Sequence, residues 1–340
     1  MPFMRSIGGG PSGGVAPCSA TPHADDAAHL KSCGRPGDRP NGLAAAPCDA
    51  ILGNTLFGRW WMRGFLSVGV LGVLAGAVLG AVAAVGVAAR ADFDYYSSTF
   101  RASGSDMAAL GVGYGPEFTG ADSSVVAPAA YLHTSLGDGR FVELVGTMLT
   151  ANFLADPQWQ IGPALNFRQG RKSADDAVVE RLHEVDDSWE VGLSIGWQLQ
   201  DPNNARNRLR LGVDLLQDVS GGHKGLVADF TALYRQEVVA RVDLGVLAGV
   251  TVATGDYMND ALGVTAADAA ASGLAAYKPG GGFRDIRIAP LAVLHLSENW
   301  QLGATVGWAR LIGNAADSPI VRDRGSENQI FASVSLGYAW

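Results

Sequence analysis

Gln329-Ile-Phe-Ala-Ser-Val-Ser-Leu-Gly-Tyr-Ala-Trp340 keeps a strict two-residue period. Ile330, Ala332, Val334, Leu336, Tyr338 and Trp340 form one apolar row, and Gln329, Phe331, Ser333, Ser335, Gly337 and Ala339 fall between them. A strand with one wholly apolar face that finishes on an aromatic has the pattern of the closing strand of an outer-membrane β-barrel. Its apolar row lies in lipid, its other row faces the lumen, and the last aromatic sits at the interface. Leu336, Tyr338 and Trp340 are then the row that a barrel-assembly machinery takes up.

The rest of the chain repeats the pattern. Trp189, Val191, Leu193, Ile195, Trp197 and Leu199 alternate with small or polar residues, as do Val242, Leu244, Val246, Ala248, Val250 and Val252. Similar ladders cover 107–114, 125–133, 141–153, 159–168, 209–216, 226–234, 286–296 and 300–311, each bounded by Gly, Pro, Asn or Asp. With the last strand these make eleven, and a weaker ladder over 95–101 makes twelve. Ten is the fallback count, because 141–153 reads as one strand or as a broken pair. Placing the chain end in the periplasm sorts the connections. Short ones at 155–158, 201–206, 236–239 and 297–299 fall inside, and long ones at 169–188, 218–224, 254–283 and 312–328 fall outside. The expected fold is therefore an all-β, antiparallel transmembrane barrel of about twelve strands.

Aromatic spacing gives the membrane height. Trp189 and Trp197, Trp300 and Trp308, and Trp159 and Phe167 are each eight residues apart. Eight strand residues span roughly 26 Å, or about 20 Å along the normal at a tilt of about 40°. Pro128, Pro163 and Pro290 fall inside ladders, where a missing N–H predicts a bulge or a strand end.

Upstream, residues 1–61 are rich in Gly, Ala and Pro and lack apolar periodicity, and read as a disordered extension or an early start. From Gly64 to Ala89 there is no charge, and Ala89-Arg90-Ala91 is a small-x-small cleavage site. Residues 62–91 thus read as a signal peptide cleaved between Ala91 and Asp92, with a membrane anchor as the alternative. The barrel is 92–340. All three cysteines (Cys18, Cys33 and Cys48) lie before it, evenly spaced in a way that matches no metal pattern. The net charge is −8, and the acidic excess grows after residue 91. Such a balance argues against nucleic acid as a partner.

Opposite the apolar rows stand Arg168, Glu190, Arg210, Asp214, Asp229, Arg241, Asp243 and Arg287, four of each sign. A barrel this narrow fills its interior with side chains, so these charges are expected to pair and to leave no wide aqueous channel. Solvated charges in an open pore are the alternative. Chemistry has little support. Asp218, Ser220 and His223 share one loop, but its glycines suit a tight turn better than a catalytic triad. His133, His183 and His295 lack ligand spacing. Gly111-Val-Gly113-Tyr-Gly115 lacks the helix of a dinucleotide site. No catalytic residue, cofactor or metal is expected.

Several motifs together resemble the MipA/OmpV family over about 106–340. They are Gly111-Val-Gly113-Tyr-Gly115-Pro116 through Gly120-Ala-Asp122, Gly162-Pro163, Phe167-Arg168-Gln-Gly170-Arg171, Tyr257-Met258, Gly263-Val264-Thr265 with Ala269, and Ser272-Gly273-Leu274 to Tyr277. The most specific is Ala316-Asp317-Ser318-Pro319-Ile-Val321 with Arg324-Gly325-Ser326. Leu262 departs from the pattern, because the family usually has an aromatic there. The resemblance implies a non-enzymatic outer-membrane scaffold that brings a murein-degrading lytic transglycosylase together with a bifunctional penicillin-binding protein. Members linked to adhesion or host recognition make a surface receptor or adhesin the second expectation, and a small-solute channel is the third.

Overall fold

The computed structural model describes Thr99, Phe100 and residues 106–340. Twelve antiparallel strands close into a barrel: β1 (Met107–Pro116), β2 (Ser124–Gly137), β3 (Arg140–Val145), β4 (Met148–Asn152), β5 (Trp159–Arg168), β6 (Ser188–Asp201), β7 (Asn204–Asp218), β8 (Leu226–Val239), β9 (Val242–Ala253), β10 (Gly282–His295), β11 (Trp300–Leu311) and β12 (Asn328–Ala339). Each pairs with its neighbours in chain order, and β12 closes on β1 from Met107↔Ala339 to Tyr114↔Ala332. Closure matters physically, because a sheet edge left open in hydrocarbon strands its backbone polar groups.

The two faces divide as alternation requires. Ile330, Val334, Leu336, Tyr338 and Trp340 are exposed on the outer face, while Gln329 and Phe331 are buried inside. The aromatics stand at matched heights. Trp159 lies opposite Trp197, and Phe167 opposite Trp189 with ring centroids 5.1 Å apart. Trp300 lies opposite Tyr338, at 5.0 Å.

The twelfth strand comes from a different place than 95–101. The 141–153 ladder breaks into β3 and β4 around Gly146, whose φ of 57° only glycine adopts freely. The ring of twelve closes without 95–101, of which only Thr99 and Phe100 are described. The 1–61 extension and the 62–91 signal with its Ala91/Asp92 cleavage site lie outside the described residues. Several strands also outrun their expected ends. β6 and β7 leave only 202–203 between them, and β8 runs to Val239, so that the turn is 240–241. Arg241 consequently sits exposed in that turn rather than inside the lumen.

The prolines occupy places where a donor is not needed. On β2, the carbonyl of Ala130 accepts from Gly146 N–H, so even-numbered residues turn their backbone groups toward β3. β3 pairs no higher than Tyr131, and the absent N–H of Pro128 therefore faces a flank without a strand. The β4–β5 ladder stops at Thr150↔Ala164, immediately before Pro163. At Pro290 the β10–β11 ladder skips from Ile288↔Trp308 to Leu291↔Thr305, and Thr305 Oγ1 donates to the Pro290 carbonyl at 2.9 Å.

Inside, ring and glycine fit together. Gly307 faces Phe331 across β11 and β12, and a Cβ on Gly307 would come within 2.0 Å of that ring. Lower down, Gly303 and Gly337 make the same room for Phe100, which packs with Met107, Tyr131 and Val293. Gly307→Val is expected to destabilise the barrel by about 1–3 kcal/mol through overpacking. Denaturant unfolding in detergent measures this, and an unchanged midpoint would contradict the packing.

Candidate functional site

The inward charges assemble in three tiers. At the outer end Glu190, fully buried, takes Arg168 Nε at 2.8 Å, Asn166 Nδ2 at 2.7 Å and His223 Nε2 at 2.8 Å. Just below, Arg287 Nη2 donates to Asp229 at 2.6 Å and its Nη1 to Thr251 Oγ1 at 2.9 Å, while Arg284 Nε meets Asp285 at 2.7 Å. At the inner end Asp243, also fully buried, takes Arg206 Nε at 2.8 Å, Arg235 Nε at 2.9 Å and His295 Nε2 at 3.0 Å. Arg210 donates to Gln160 at 3.1 Å, and Asp214 lies opposite Asp229 across β7 and β8. A carboxylate removed from water costs several kcal/mol unless it is met in this way.

Of the expected inward residues, only Arg241 lies elsewhere. Alternation also passed over several. Arg206 and Arg208 continue the face of Arg210, and Arg235 continues that of Asp229, so carrying each ladder further exposes them. Arg284 and Asp285 were out of reach. A register shift between Phe283 and Asp285 turns both consecutive side chains inward, against the two-residue period.

The long outer connections do not stand free. α1 (Gly255–Leu262), α2 (Ala266–Ser272), α3 (Pro319–Arg324) and a 3₁₀ turn at Val179–Arg181 pack as a cap over the mouth that carries the long connections, the outer one in the expected orientation. Its apolar core joins Met258, Leu262, Ala315 and Val321 to Val227 and Leu311 of the wall. Tyr257 drops from α1 into the mouth, with Arg168 at 5.2 Å and Arg284 at 5.6 Å from its ring centre, and Arg284 donates to its hydroxyl at 2.6 Å. Such cation–π pairs strengthen where water is excluded.

The family motif residues gather in this cap. Ser318 caps α3 and also donates to the Leu262 carbonyl at 2.7 Å, with Pro319 in the first turn where a missing N–H is harmless. Gly325 passes so close to Gly120 that a Cβ would lie 1.9 Å from its carbonyl oxygen. Asp317 stays exposed. Leu262 is fully buried in the cap core, so the smaller residue there still fills its place.

The hydroxyl and imidazole of 218–223 part company. Ser220 Oγ donates to Asp218 at 2.8 Å, whereas His223 turns inward to Glu190 and accepts from Gly225 N–H at 3.0 Å. They form no nucleophile–base pair. Among the described residues no group of three or more His, Cys, Asp or Glu is placed to hold a metal ion.

Asp268 ties the cap together. Burial alone would raise its carboxyl, but hydrogen bonds from Thr265 and from His183 outweigh this and hold it at about 2. His183 N–H donates at 2.8 Å and Thr265 Oγ1 at 2.7 Å. Because the folded value lies below the unfolded one of about 3.9, this contribution is complete above about pH 4 and is lost as pH falls toward 2. Hydrogen exchange should show the His183 and Ala269 amides losing protection over that window while the strands keep theirs. Constant protection of both amides would contradict the tie.

The family model described as MltA-interacting protein MipA matches residues 108–340. No curated protein matches the chain significantly. Among solved structures it is similar to the NanC porin, at 8% identity and TM-score 0.38 over 69% of this chain and 100% of that one. It is also similar to an outer-membrane channel from Pseudomonas putida F1, at 12% identity and TM-score 0.36 over 73% and 98%. Both likenesses are too loose to say anything of function. The chain belongs to the MipA family and is an outer-membrane β-barrel protein.

Proposed function

We propose that this protein is a non-enzymatic scaffold of the outer membrane, docking murein-degrading and murein-synthesising enzymes at its periplasmic rim. Membership of the MipA family implies partners of this kind, a lytic transglycosylase and a penicillin-binding protein. The observation that carries the reading is the closure of the outer mouth. With the cap folded over the other mouth, the rim is the end left uncovered among the described residues. Apolar side chains stand exposed along it: Leu136, Phe153, Leu154, Val238, Val239 and Leu296.

Area decides how such docking works. Twelve strands spaced about 4.8 Å and tilted about 40° make a backbone ring roughly 24 Å across. Side chains widen it to about 34 Å, giving a face of about 900 Å², against about 800 Å² per partner in an ordinary stable interface. The rim therefore has room for about one such interface, and the two enzymes would occupy it in turn. Export through the 62–91 signal, cleavage before Asp92 and delivery by the barrel-assembly machinery through Leu336, Tyr338 and Trp340 belong to the same proposal.

Pull-down from solubilised envelopes is expected to recover murein enzymes. The double variant Phe153→Asp/Val239→Asp should cut recovery at least tenfold, about 1.4 kcal/mol. Arg324→Ala, which removes a cap ion pair to Asp176, should not. Recovery of no murein enzyme, or of undiminished amounts by the rim variant, contradicts the scaffold. A receptor acting through the cap would reverse the two variants.

A further inference from the structure

The inner half of the lumen contains a cavity of about 270 Å³ beside the 138–139 turn and the 153–158 connection. Its wall includes His133, Gln160, Gln198, Gln200, Arg208 and Arg210. Both carboxylates that border it are engaged. Glu143 accepts from the Tyr131 hydroxyl at 3.0 Å, and Asp156 accepts the N–H groups of Gln158 and Trp159 at 2.8 and 2.7 Å. Arg140, Arg208 and Arg210 line the same wall, three guanidinium groups against these two carboxylates, so the cavity carries a net positive charge. His133 is only 7% exposed and its ring lies 5.0 Å from Phe141, yet its Nδ1 has no hydrogen-bond partner among the described residues. A buried ring nitrogen left this way is costly unless a water or a ligand in the cavity meets it. Arg210 to Gln160 at 3.1 Å and Gln160 to Gln198 at 3.2 Å hold three of the donor–acceptor groups in fixed positions.

We propose that this cavity binds a small hydroxylated carboxylate, of the size and chemistry of a sugar acid, entering from the periplasm. Guanidinium groups match a carboxylate in charge and shape. Amides and an imidazole both donate to and accept from hydroxyls. The volume lies at the lower edge of the ~300–1,000 Å³ typical of small-molecule sites, which admits a monosaccharide and excludes a polymer. The site stands on the cavity and its side chains, independently of any scaffold role.

Titration calorimetry of the full chain in detergent micelles, with glucuronate as probe and glucose as the neutral control, tests it. Glucuronate should bind saturably and at least about tenfold more tightly than glucose. Gln200→Ala, at an exposed position, and His133→Ala should each weaken glucuronate at least about fivefold, with circular dichroism confirming the barrel. If His133→Ala fails to fold, Gln200→Ala carries the test of location. Absence of saturable binding, equal binding of glucose, or undiminished binding by the folded variants overturns the site.

Discussion

A carboxylate sealed inside a ring of lipid-clad strands has to be met by donors, and the interior of this barrel is built on that demand. Asp243 and Glu190 are both fully buried, and each is met by three side chains. Removing one partner of such a group typically costs about 3–5 kcal/mol, because the other charge is left stranded. The tiers therefore brace opposite sides of the ring. Arg206 and Arg235 from β7 and β8 converge with His295 from β10 on one β9 carboxylate, and three elements meet again at Glu190.

The same demand links the wall to the cap. Glu190 draws His223 inward from its loop, His223 packs edge-on against Tyr257 at 5.0 Å, and Tyr257 lies between Arg168 and Arg284. The outer tier thus serves both as wall brace and as cap seat. The residues on which the family resemblance rests, Tyr257, Met258, Ser318 and Gly325 among them, lie mostly in this closure rather than in the membrane-facing wall. The wall needs only alternation, which many sequences satisfy. The cap needs close approaches such as Gly325 on Gly120, which few do.

That difference also sets how much of the structure is legible in the sequence. Barrel class, strand direction and the sorting of long and short connections followed from period-two alternation and turn residues, because lipid outside enforces both. The count of twelve came out right for the wrong segment. Alternation runs smoothly across Gly146, and only its positive φ reveals the fold-back. Arg241 was misplaced because β8 runs on through Val238 and Val239, moving the turn past the expected one. Arg284 and Asp285 were hidden by the bulge that turns neighbours to the same side. His223 and Tyr257 reach the lumen from loops, where no period exists to follow. Prolines that looked out of place fall where a ladder is already interrupted or absent.

Paired charges and a seated cap close the outer half of this barrel. Planar-bilayer recording of the purified full chain tests this closure most directly. The account predicts no steady conductance at neutral pH, with at most brief openings. Large, stable channels under those conditions would contradict it.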